Sequence, residues 1–173
     1  VKEWREGVDG VKPRFIKIGV NRAPLGVLDR KLVVAAALAS LETGITIASH
    51  TVGGAAAKEQ VEIVQREGCP LKRFVWVHAQ NERDAAIHRA VAESGAWVEF
   101  DGISAKSAAW HKECVESMAK AGLLSRVLIS QDSGWYHVGE PGGGTYNGYD
   151  YLYTGFLPQI RQELSLIHIS EPT

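Results

Sequence analysis

Four segments of the sequence share one pattern, in which a helical stretch ends at a glycine and the following β-like run ends on a side chain that can bind a metal. The runs are ITIASH, ending at His50, RFVWVH, ending at His78, AWVEFD, ending at Asp101, and RVLISQD, ending at Asp132. Their ends lie about 23 to 31 residues apart, which is the length of one strand-helix unit. Since the carboxyl ends of parallel strands meet at one edge of a sheet, the sequence predicts that these four side chains converge on one face.

A fifth run, RFIKIGV, lies near the start of the chain and carries Lys17 in its interior. A lysine inside an apolar strand is costly to desolvate as a cation, so it loses its charge, points out into solvent or snorkels toward it, or becomes chemically modified. The sequence leaves these outcomes open. With Lys17, five polar side chains are predicted on the same face, and such a group indicates an active site.

Glycines mark the ends of the predicted helices. Gly44, Gly68, Gly95 and Gly122 occupy the positions where a left-handed C-cap belongs. The helices are predicted at residues 29–42, 55–67, 82–94, 106–120 and 149–164. The runs FVWVH and RVLIS are nearly continuously apolar, as in parallel strands that are covered on both faces. The pattern therefore predicts an α/β fold with a parallel sheet, closed or open.

The composition excludes several classes of function. A chain of 173 residues with 45% hydrophobic and 23% charged residues fits one globular domain. The net charge of −1 gives no basic field for nucleic acid or an anionic membrane, and we expect neither as a partner. Cys69 and Cys114 lack the spacing of a zinc site and are predicted to be buried structural thiols. Localisation stays open, with the cytoplasm favoured.

The last ten residues, LSLIHISEPT, break the pattern of the preceding helix. They resemble the translated adapter read-through that contaminates fragmentary sequence assemblies. We therefore interpret residues 1–165 as the domain and residues 166–173 as a non-native tail. His168 is consequently left out of the candidate site.

Two histidines at the ends of adjacent strands, followed by an acid at a later strand end, suit a divalent metal held by imidazole and carboxylate groups. A single strand-end histidine is more often a hydrogen-bonded scaffold residue, but the repeated register favours a site. Asp101 is interpreted as a residue of the substrate pocket or a support of the ligands, with a purely structural acid as the alternative. Asn81 is a second polar candidate for the pocket. His88 and His111 fall on helices and are predicted to be solvated or interfacial.

A long loop rich in glycine and aromatic residues, SGWYHVGEPGGGTYNG, follows Asp132. Loops of this length are uncommon unless they bind a ligand or close a site. Trp135, Tyr136 and His137 are therefore predicted to wall a substrate pocket. The alternative is a loop that packs on itself, and the sequence does not decide between the two.

Taken in order, the segments FIKIG, TIASHT, WVHAQ, ISQD and GYDYLYTGFLPQIR resemble the phosphotriesterase family of the amidohydrolase superfamily. The resemblance runs from Lys12 to Ser165. It implies a partial TIM (β/α)8 barrel, approximately strands 4 to 8 with their helices, because a complete barrel takes about 250 residues. The His-x-His pair of the family's first strand is absent from this sequence.

The resemblance also implies roles for the site residues. In that family the strand lysine is carboxylated and bridges two divalent metal ions, usually zinc, and Lys17 would take this role. His50 and His78 would bind the more exposed ion, and Asp132 would bind the more buried ion and accept a proton during catalysis. The implied activity is hydrolysis of a small-molecule lactone, carboxyl ester or phosphotriester, and self-association as a homodimer is left open.

Two other interpretations remain. Lys17 could act as a Schiff-base nucleophile, because aldolase-type barrels also place a desolvated lysine on a strand. Alternatively, the chain is a non-catalytic fragment or binding module. As half of a barrel it is expected to be inactive by itself and to expose unpaired edges at its first and last strands.

Overall fold

The computed structural model describes residues 1–146 and 148–170, with the backbone alone for residues 166–170. From the first strand onward, strands and helices alternate along the chain. The strands are β1 (Phe15–Val20), β2 (Thr46–Thr51), β3 (Phe74–Val77), β4 (Trp97–Phe100) and β5 (Val127–Ile129). The helices are α1 (Lys2–Glu6), α2 (Val27–Thr43), α3 (Gly54–Arg66), α4 (Ala85–Glu93), α5 (Ala108–Lys120) and α6 (Leu157–Ser170), the last preceded by a π-helical turn (Leu152–Phe156).

The five strands form one parallel sheet in the order β1-β2-β3-β4-β5, which is also their order in the sequence. A helix connects each strand to the next, as a parallel connection requires. The predicted α/β fold with a parallel sheet is therefore confirmed. Because all five strands point the same way, their carboxyl ends lie along one edge of the sheet.

The core lies between the sheet and its helices. All four residues of β3 are buried, and the alternation of a strand sends Phe74 and Trp76 toward the helices and Val75 and Val77 toward the opposite face. Phe74 and Trp76 are fully buried, and full burial of a side chain such as Phe stabilises a fold by about 1.5–3 kcal/mol. On its helical side the middle of the sheet thus carries the two largest of the fully buried side chains.

The helix boundaries agree with the sequence pattern to within a few residues, except at the C-terminus. Gly44 adopts φ 78° at the end of α2 and donates its N–H to the carbonyl of Ser40 at 2.8 Å, as the predicted left-handed cap requires. The predicted end of the last helix at Leu164 is wrong, because α6 continues to Ser170. The non-native origin of residues 166–173 stays a prediction, and residues 171–173 lie outside the described part of the chain.

Both cysteines are buried and unpaired, which confirms them as structural thiols. Burial raises the pKa of the Cys114 thiol to about 12, so this group stays protonated at physiological pH. Among the helices that the structure describes, none is both long and apolar enough to cross a membrane.

Candidate metal centre

The face of the sheet that points away from the helices lines a cavity of about 600 Å³. The predicted strand-end residues all contribute to its lining, together with one aromatic residue of the long loop. These cavity residues include Lys17, His50, His78, Asp101, Asp132 and Trp135. The predicted convergence of the five polar side chains on one face is therefore confirmed.

His50 and His78 are neighbours in the centre of the sheet. The β2-β3 register pairs His50 with Val77, which places His78 one residue beyond this pair. The two imidazole rings lie edge to face with centroids 4.3 Å apart. The parallel register thus brings side chains that are 28 positions apart in the sequence into contact.

The backbone of His78 has φ 67°, in the left-handed region that few residues other than glycine adopt. The carboxylate of Asp101 holds this conformation, since it accepts the His78 N–H at 3.0 Å and lies 2.7 Å from Nδ1. Gln80 also donates its amide to this carboxylate, at 2.7 Å. With Nδ1 occupied, Nε2 of His78 is the nitrogen that remains to bind a metal.

The contacts of Asp101 favour a supporting role over contact with substrate. Its side chain is only 2% exposed, and its oxygens already accept three protein donors. A carboxylate behind a ligand histidine fixes the tautomer and the orientation of the ring. The interpretation of Asp101 as a residue that contacts substrate stays an untested prediction with little geometric support.

The side chains of His78, Asp101 and Asp132 each place a ligand atom within 4.8 Å of the others. Imidazole and carboxylate donors at this separation suit a divalent ion such as zinc. Because Asp101 is occupied by hydrogen bonds, His78 and Asp132 are the free donors, and His50 adds a second imidazole. The residues present therefore fit a metal centre.

The electrostatics of His50 also suit a metal ligand. Burial is the largest influence and lowers the pKa of the His50 ring, and the neighbouring His78 and Lys17 lower it further. The carboxylates of Asp101 and Asp132 act in the opposite direction. The net lowering favours the neutral imidazole, which is the form that binds metals.

Lys17 is solvated, which is one of the outcomes that the sequence left open. Its side chain is exposed on the cavity face of β1, and Nζ donates to the carbonyl of Ile18 at 3.4 Å. The reason is that this face of the sheet is open at its first strand. Of the outcomes that the sequence left open for Lys17, the structure therefore agrees with a solvated side chain.

The long loop divides between the two predicted outcomes. Trp135 lines the cavity, and its indole N–H donates to the carbonyl of Asp132 at 2.9 Å. Tyr136 instead packs over Gly143, and the His137 N–H donates to the Gly143 carbonyl at 2.9 Å. Trp135 is thus placed to wall a substrate pocket, whereas Tyr136 and His137 belong to a part of the loop that packs on itself.

Asn81 lies apart from the candidate metal centre. It lines a separate pocket with Arg22, Glu82 and the start of α3. The residues that line the metal-centre cavity and were not named by the sequence analysis include Glu99 and Ser130. The alternation of β4 places Glu99 on the same face as Asp101 and could have revealed it. Burial raises the pKa of the Glu99 carboxyl, and the Asp101 charge adds to this effect.

The prediction that His88 and His111 are solvated or interfacial is wrong. His88 is 0% exposed and His111 is 2% exposed. Both lie on the buried stripe of their helices, where His88 accompanies Val91 and Ala92. The helical period of these apolar neighbours was the signal that could have placed them in the interior.

A parallel sheet of strand-helix units, with imidazole and carboxylate groups at its strand ends, is the arrangement found in part of a TIM barrel. The chain belongs to the phosphotriesterase family, since the profile of that family matches residues 1–166. The predicted family and the partial-barrel fold are thereby confirmed.

The phosphotriesterase homology protein of Escherichia coli is 32% identical over 170 residues, which cover 94% of this chain and 57% of the relative. Its crystal structure, complexed with phosphate in the active site, superposes with a TM-score of 0.80 at 31% identity over the same shares. The chain thus spans 57% of the length of this curated relative.

A lactonase from Listeria monocytogenes superposes with a TM-score of 0.82 at 28% identity, covering 96% of this chain and 52% of the lactonase. The organophosphorus hydrolase of Deinococcus radiodurans has a TM-score of 0.82 at 24% identity, covering 94% of this chain and 54% of the hydrolase, which supports the fold alone.

Proposed function

We propose that this chain forms the carboxyl-terminal part of a hydrolase that uses divalent metal ions to cleave a lactone, another carboxyl ester or a phosphotriester. The observation that carries the proposal is the convergence of His50, His78 and Asp132 on one cavity of the sheet. The similarity to a lactonase and to a phosphotriesterase homology protein supports ester-type substrates.

We further propose that the centre holds two metal ions, with zinc as the expected element. His50, His78, Asp132 and a carboxylated Lys17 would be the ligands that this chain contributes. When bound, such ions supply a water molecule of lowered pKa and a Lewis acid for the substrate oxygen. The mixture of imidazole and carboxylate donors is of the kind that zinc prefers.

The residues of the chain have distinct tasks in this proposal. Asp101 holds the His78 ring so that Nε2 faces the cavity. The Asp132 carboxylate, which is exposed to the same cavity, accepts a proton from the attacking water. Trp135 offers an apolar wall next to Asp132, where it can pack against the departing part of the substrate.

The open face of the sheet explains why the chain alone is expected to be inactive. A substrate site in a barrel of this type takes residues from loops around the whole barrel, and this chain supplies five of the strands. Lys17 is exposed here, so the desolvation that a Schiff-base lysine needs finds no support and the aldolase-type alternative is not favoured.

The proposal is tested by titrating this chain with Co²⁺ and following the visible absorption of the bound ion. The wild-type chain is expected to bind Co²⁺, and His78→Ala is expected to raise the dissociation constant at least about tenfold. Loss of a residue that only hydrogen-bonds to a metal ligand typically costs about 10–100-fold in metal affinity, and loss of the ligand itself should cost no less. The control is His137→Ala, which removes an exposed imidazole outside the cavity lining and should bind like the wild type. Equal binding by wild type and His78→Ala would contradict the assignment.

Carboxylation of Lys17 has its own test. The chain is incubated with Zn²⁺ and ¹³C-bicarbonate, and the carbonyl region of its ¹³C spectrum is compared with that of Lys17→Arg, which keeps the charge. A carbamate signal that is present in the wild type and absent from Lys17→Arg supports the proposal. A signal of equal intensity in both chains would assign it to another amine.

A further inference from the structure

We infer that Gln60, His88 and His111 are positioning residues, which hold the carboxyl ends of β2, β3 and β4 and thereby orient His50, His78 and Asp101. They are called the three tethers below. The contacts are independent of any metal, whereas their consequence for catalysis rests on the proposed function.

The three tethers occur at a constant distance from the strand ends. Each lies ten positions after its strand-end residue: Gln60 follows His50, His88 follows His78 and His111 follows Asp101. Each stands on the helix that follows its strand, α3, α4 or α5. A constant spacing across three successive strand-helix units indicates one recurring interaction between a helix and the end of its strand.

Gln60 grips β2 on both sides of His50. Its side-chain oxygen accepts the hydroxyl of Ser49 at 2.6 Å, and its amide donates to the hydroxyl of Thr51 at 2.9 Å. The Thr51 hydroxyl in turn donates to the Ser49 carbonyl at 3.0 Å. All three side chains are fully buried, so the residues before and after His50 are fixed from the helical side of the sheet.

His88 holds the turn that follows β3. Its Nε2 lies 2.8 Å from the carbonyl oxygen of Ala79, which accepts the ring proton. The ring is wedged between Trp76 and Phe100, with centroid distances of 5.5 and 5.1 Å. Ala79 directly follows the left-handed backbone of His78, so this bond restrains the strained residue in addition to the bonds from Asp101.

His111 holds the carboxyl end of β4 by a similar hydrogen bond. Its Nε2 lies 2.6 Å from the carbonyl oxygen of Asp101, and its Nδ1 lies 2.9 Å from that of Ser107. The main chain of Asp101 is therefore held from α5 while its carboxylate holds His78. A displacement of His111 is expected to reach His78 through Asp101.

Buried polarity in this chain is concentrated at these strand ends. Of the eight buried polar or charged residues found in the described ranges, six belong to the tethers or to the strand-end residues that they support. The six are Ser49, Thr51, Gln60, His88, Asp101 and His111. Burial of a polar side chain disfavours folding unless the side chain is hydrogen-bonded. If these positions served packing alone, apolar side chains would therefore be expected there.

Ten positions after Lys17 and Asp132, the site residues of the two outer units, no buried polar side chain occurs. Val27, ten positions after Lys17, is the first residue of α2 and is 82% exposed. Gly142, ten positions after Asp132, lies in a short 3-10 turn of the long loop. The tethers thus serve the two imidazole ligands and the carboxylate that orients one of them.

The test uses ¹H–¹⁵N spectra of the imidazole rings in the metal-free chain. His88→Leu removes the ring bond to Ala79, and His88→Gln keeps an N–H donor at a similar reach. We expect His88→Leu to shift the His78 ring signals more than those of His50, and His88→Gln to restore them. Gln60→Leu should show the reverse, with the larger shift at His50.

Met118→Ala is the matched control, because it opens a cavity at a fully buried position of α5 that is remote from the strand ends. It should destabilise the chain without moving either ring. The inference is overturned if Met118→Ala shifts the His78 ring as much as His88→Leu does, or if His88→Leu leaves this ring unchanged in a folded chain. Should His88→Leu not fold, Gln60→Leu and its effect on His50 decide the question in the same way.

Co²⁺ binding gives a second readout. His88→Leu is expected to weaken binding about tenfold, with recovery in His88→Gln, since outer partners of a metal ligand typically contribute 10–100-fold to affinity. Ring shifts without Co²⁺ binding by the wild type would support the tethers and contradict the metal proposal. Co²⁺ binding that is indifferent to both His88 variants would contradict the tethers and leave the metal proposal standing.

Discussion

The centre and the edges of the sheet differ in how firmly they hold their strands. In the central strand β3 all four residues are buried, and a helix covers it. At the two edges Phe15 of β1 is 56% exposed and Leu128 of β5 is 39% exposed. Each edge strand pairs with one neighbour only, so its outer N–H and C=O groups have no strand partner in the part of the chain that the structure describes.

This difference divides the candidate metal centre. His50 lies in β2 and His78 directly follows β3, and the ends of both strands are hydrogen-bonded from the helical side. Lys17 lies in the edge strand β1, and Asp132 lies just beyond the edge strand β5. Half of the proposed ligands therefore lie on strands whose positions this chain fixes by itself. The other half stand on strands whose geometry depends on what covers the edges.

The largest expected effect is the loss of stability when a buried side chain of the central strand is removed, compared with the loss at an edge strand. Trp76→Ala should lower the free energy of unfolding by about 3–5 kcal/mol, because it removes a fully buried ring and leaves a cavity. Leu128→Ala should cost less than about 1 kcal/mol, since exposed substitutions are usually small in effect. Urea denaturation followed by circular dichroism measures both. Equal losses at the two positions would contradict the comparison.

The next effect concerns the carboxylate at the strand end of β4. Asp101→Asn keeps the size of the side chain but removes a charged acceptor from its buried donors, so we expect a loss of about 1.5–3 kcal/mol in the free energy of unfolding. Asp29→Asn, in the first turn of α2, is the control and should cost less than about 1 kcal/mol. If both variants unfold at the same urea concentration as the wild type, Asp101 does not support the site.

The order of strands and helices could be predicted from the sequence, because hydrophobic periodicity and helix caps are local features. For Gly44 and for the apolar run FVWV, a few neighbouring residues are enough to indicate a helix cap and a buried strand. The exposure of Lys17 could not be predicted in this way. It depends on which strands flank β1, and a local pattern holds no information on these.

The site was predicted to the level of its strand ends and no further. His50, His78 and Asp132 were found from register alone, because strand ends in a parallel sheet necessarily meet. The partners of Asp101 were not found, since a hydrogen bond between residues 23 positions apart leaves no local trace in the sequence. His88 and His111 were misplaced because polarity was given more weight than their place in the helical period.

A smaller effect is expected from pH. Burial lowers the pKa of His88 below its ordinary value of 6.5, with Arg89 acting in the same direction and the Ala79 carbonyl, Glu82 and Asp84 opposing. As the pH falls through 6.5, the unfolded chain therefore takes up a proton that the folded chain resists. The stability from this group is present above its unfolded pKa and is lost as the pH falls toward the folded value.

Urea denaturation of wild type and His88→Gln at pH 7 and pH 5 measures this effect. The variant is expected to lose less free energy of unfolding between the two pH values than the wild type, because its side chain does not titrate. His50, whose pKa is also lowered by burial, should maintain part of the slope in both chains. An identical loss in the two chains would show that the His88 ring titrates normally in the fold.

The smallest effect is expected on the surface near the last helix. Lys112 of α5 and Glu163 of α6 form an ion pair with Nζ and Oε1 2.5 Å apart. Glu163→Gln should change the free energy of unfolding by no more than about 1 kcal/mol, as for most solvent-accessible pairs. Glu116→Gln, which breaks a pair within α5, should have a similar effect. A loss well above 1 kcal/mol for Glu163→Gln alone would show that α6 depends on this pair for its docking.

Because each tether lies ten positions after its strand-end residue, insertions and deletions between the two are expected to be disfavoured. An inserted codon between His78 and His88 would move the ring by one residue around α4, about 100°. The tether would then point away from Ala79. In the described part of residues 133–149 no such bond joins a strand to its helix. Length variation among homologous genes is therefore expected to accumulate there rather than in the three central connections.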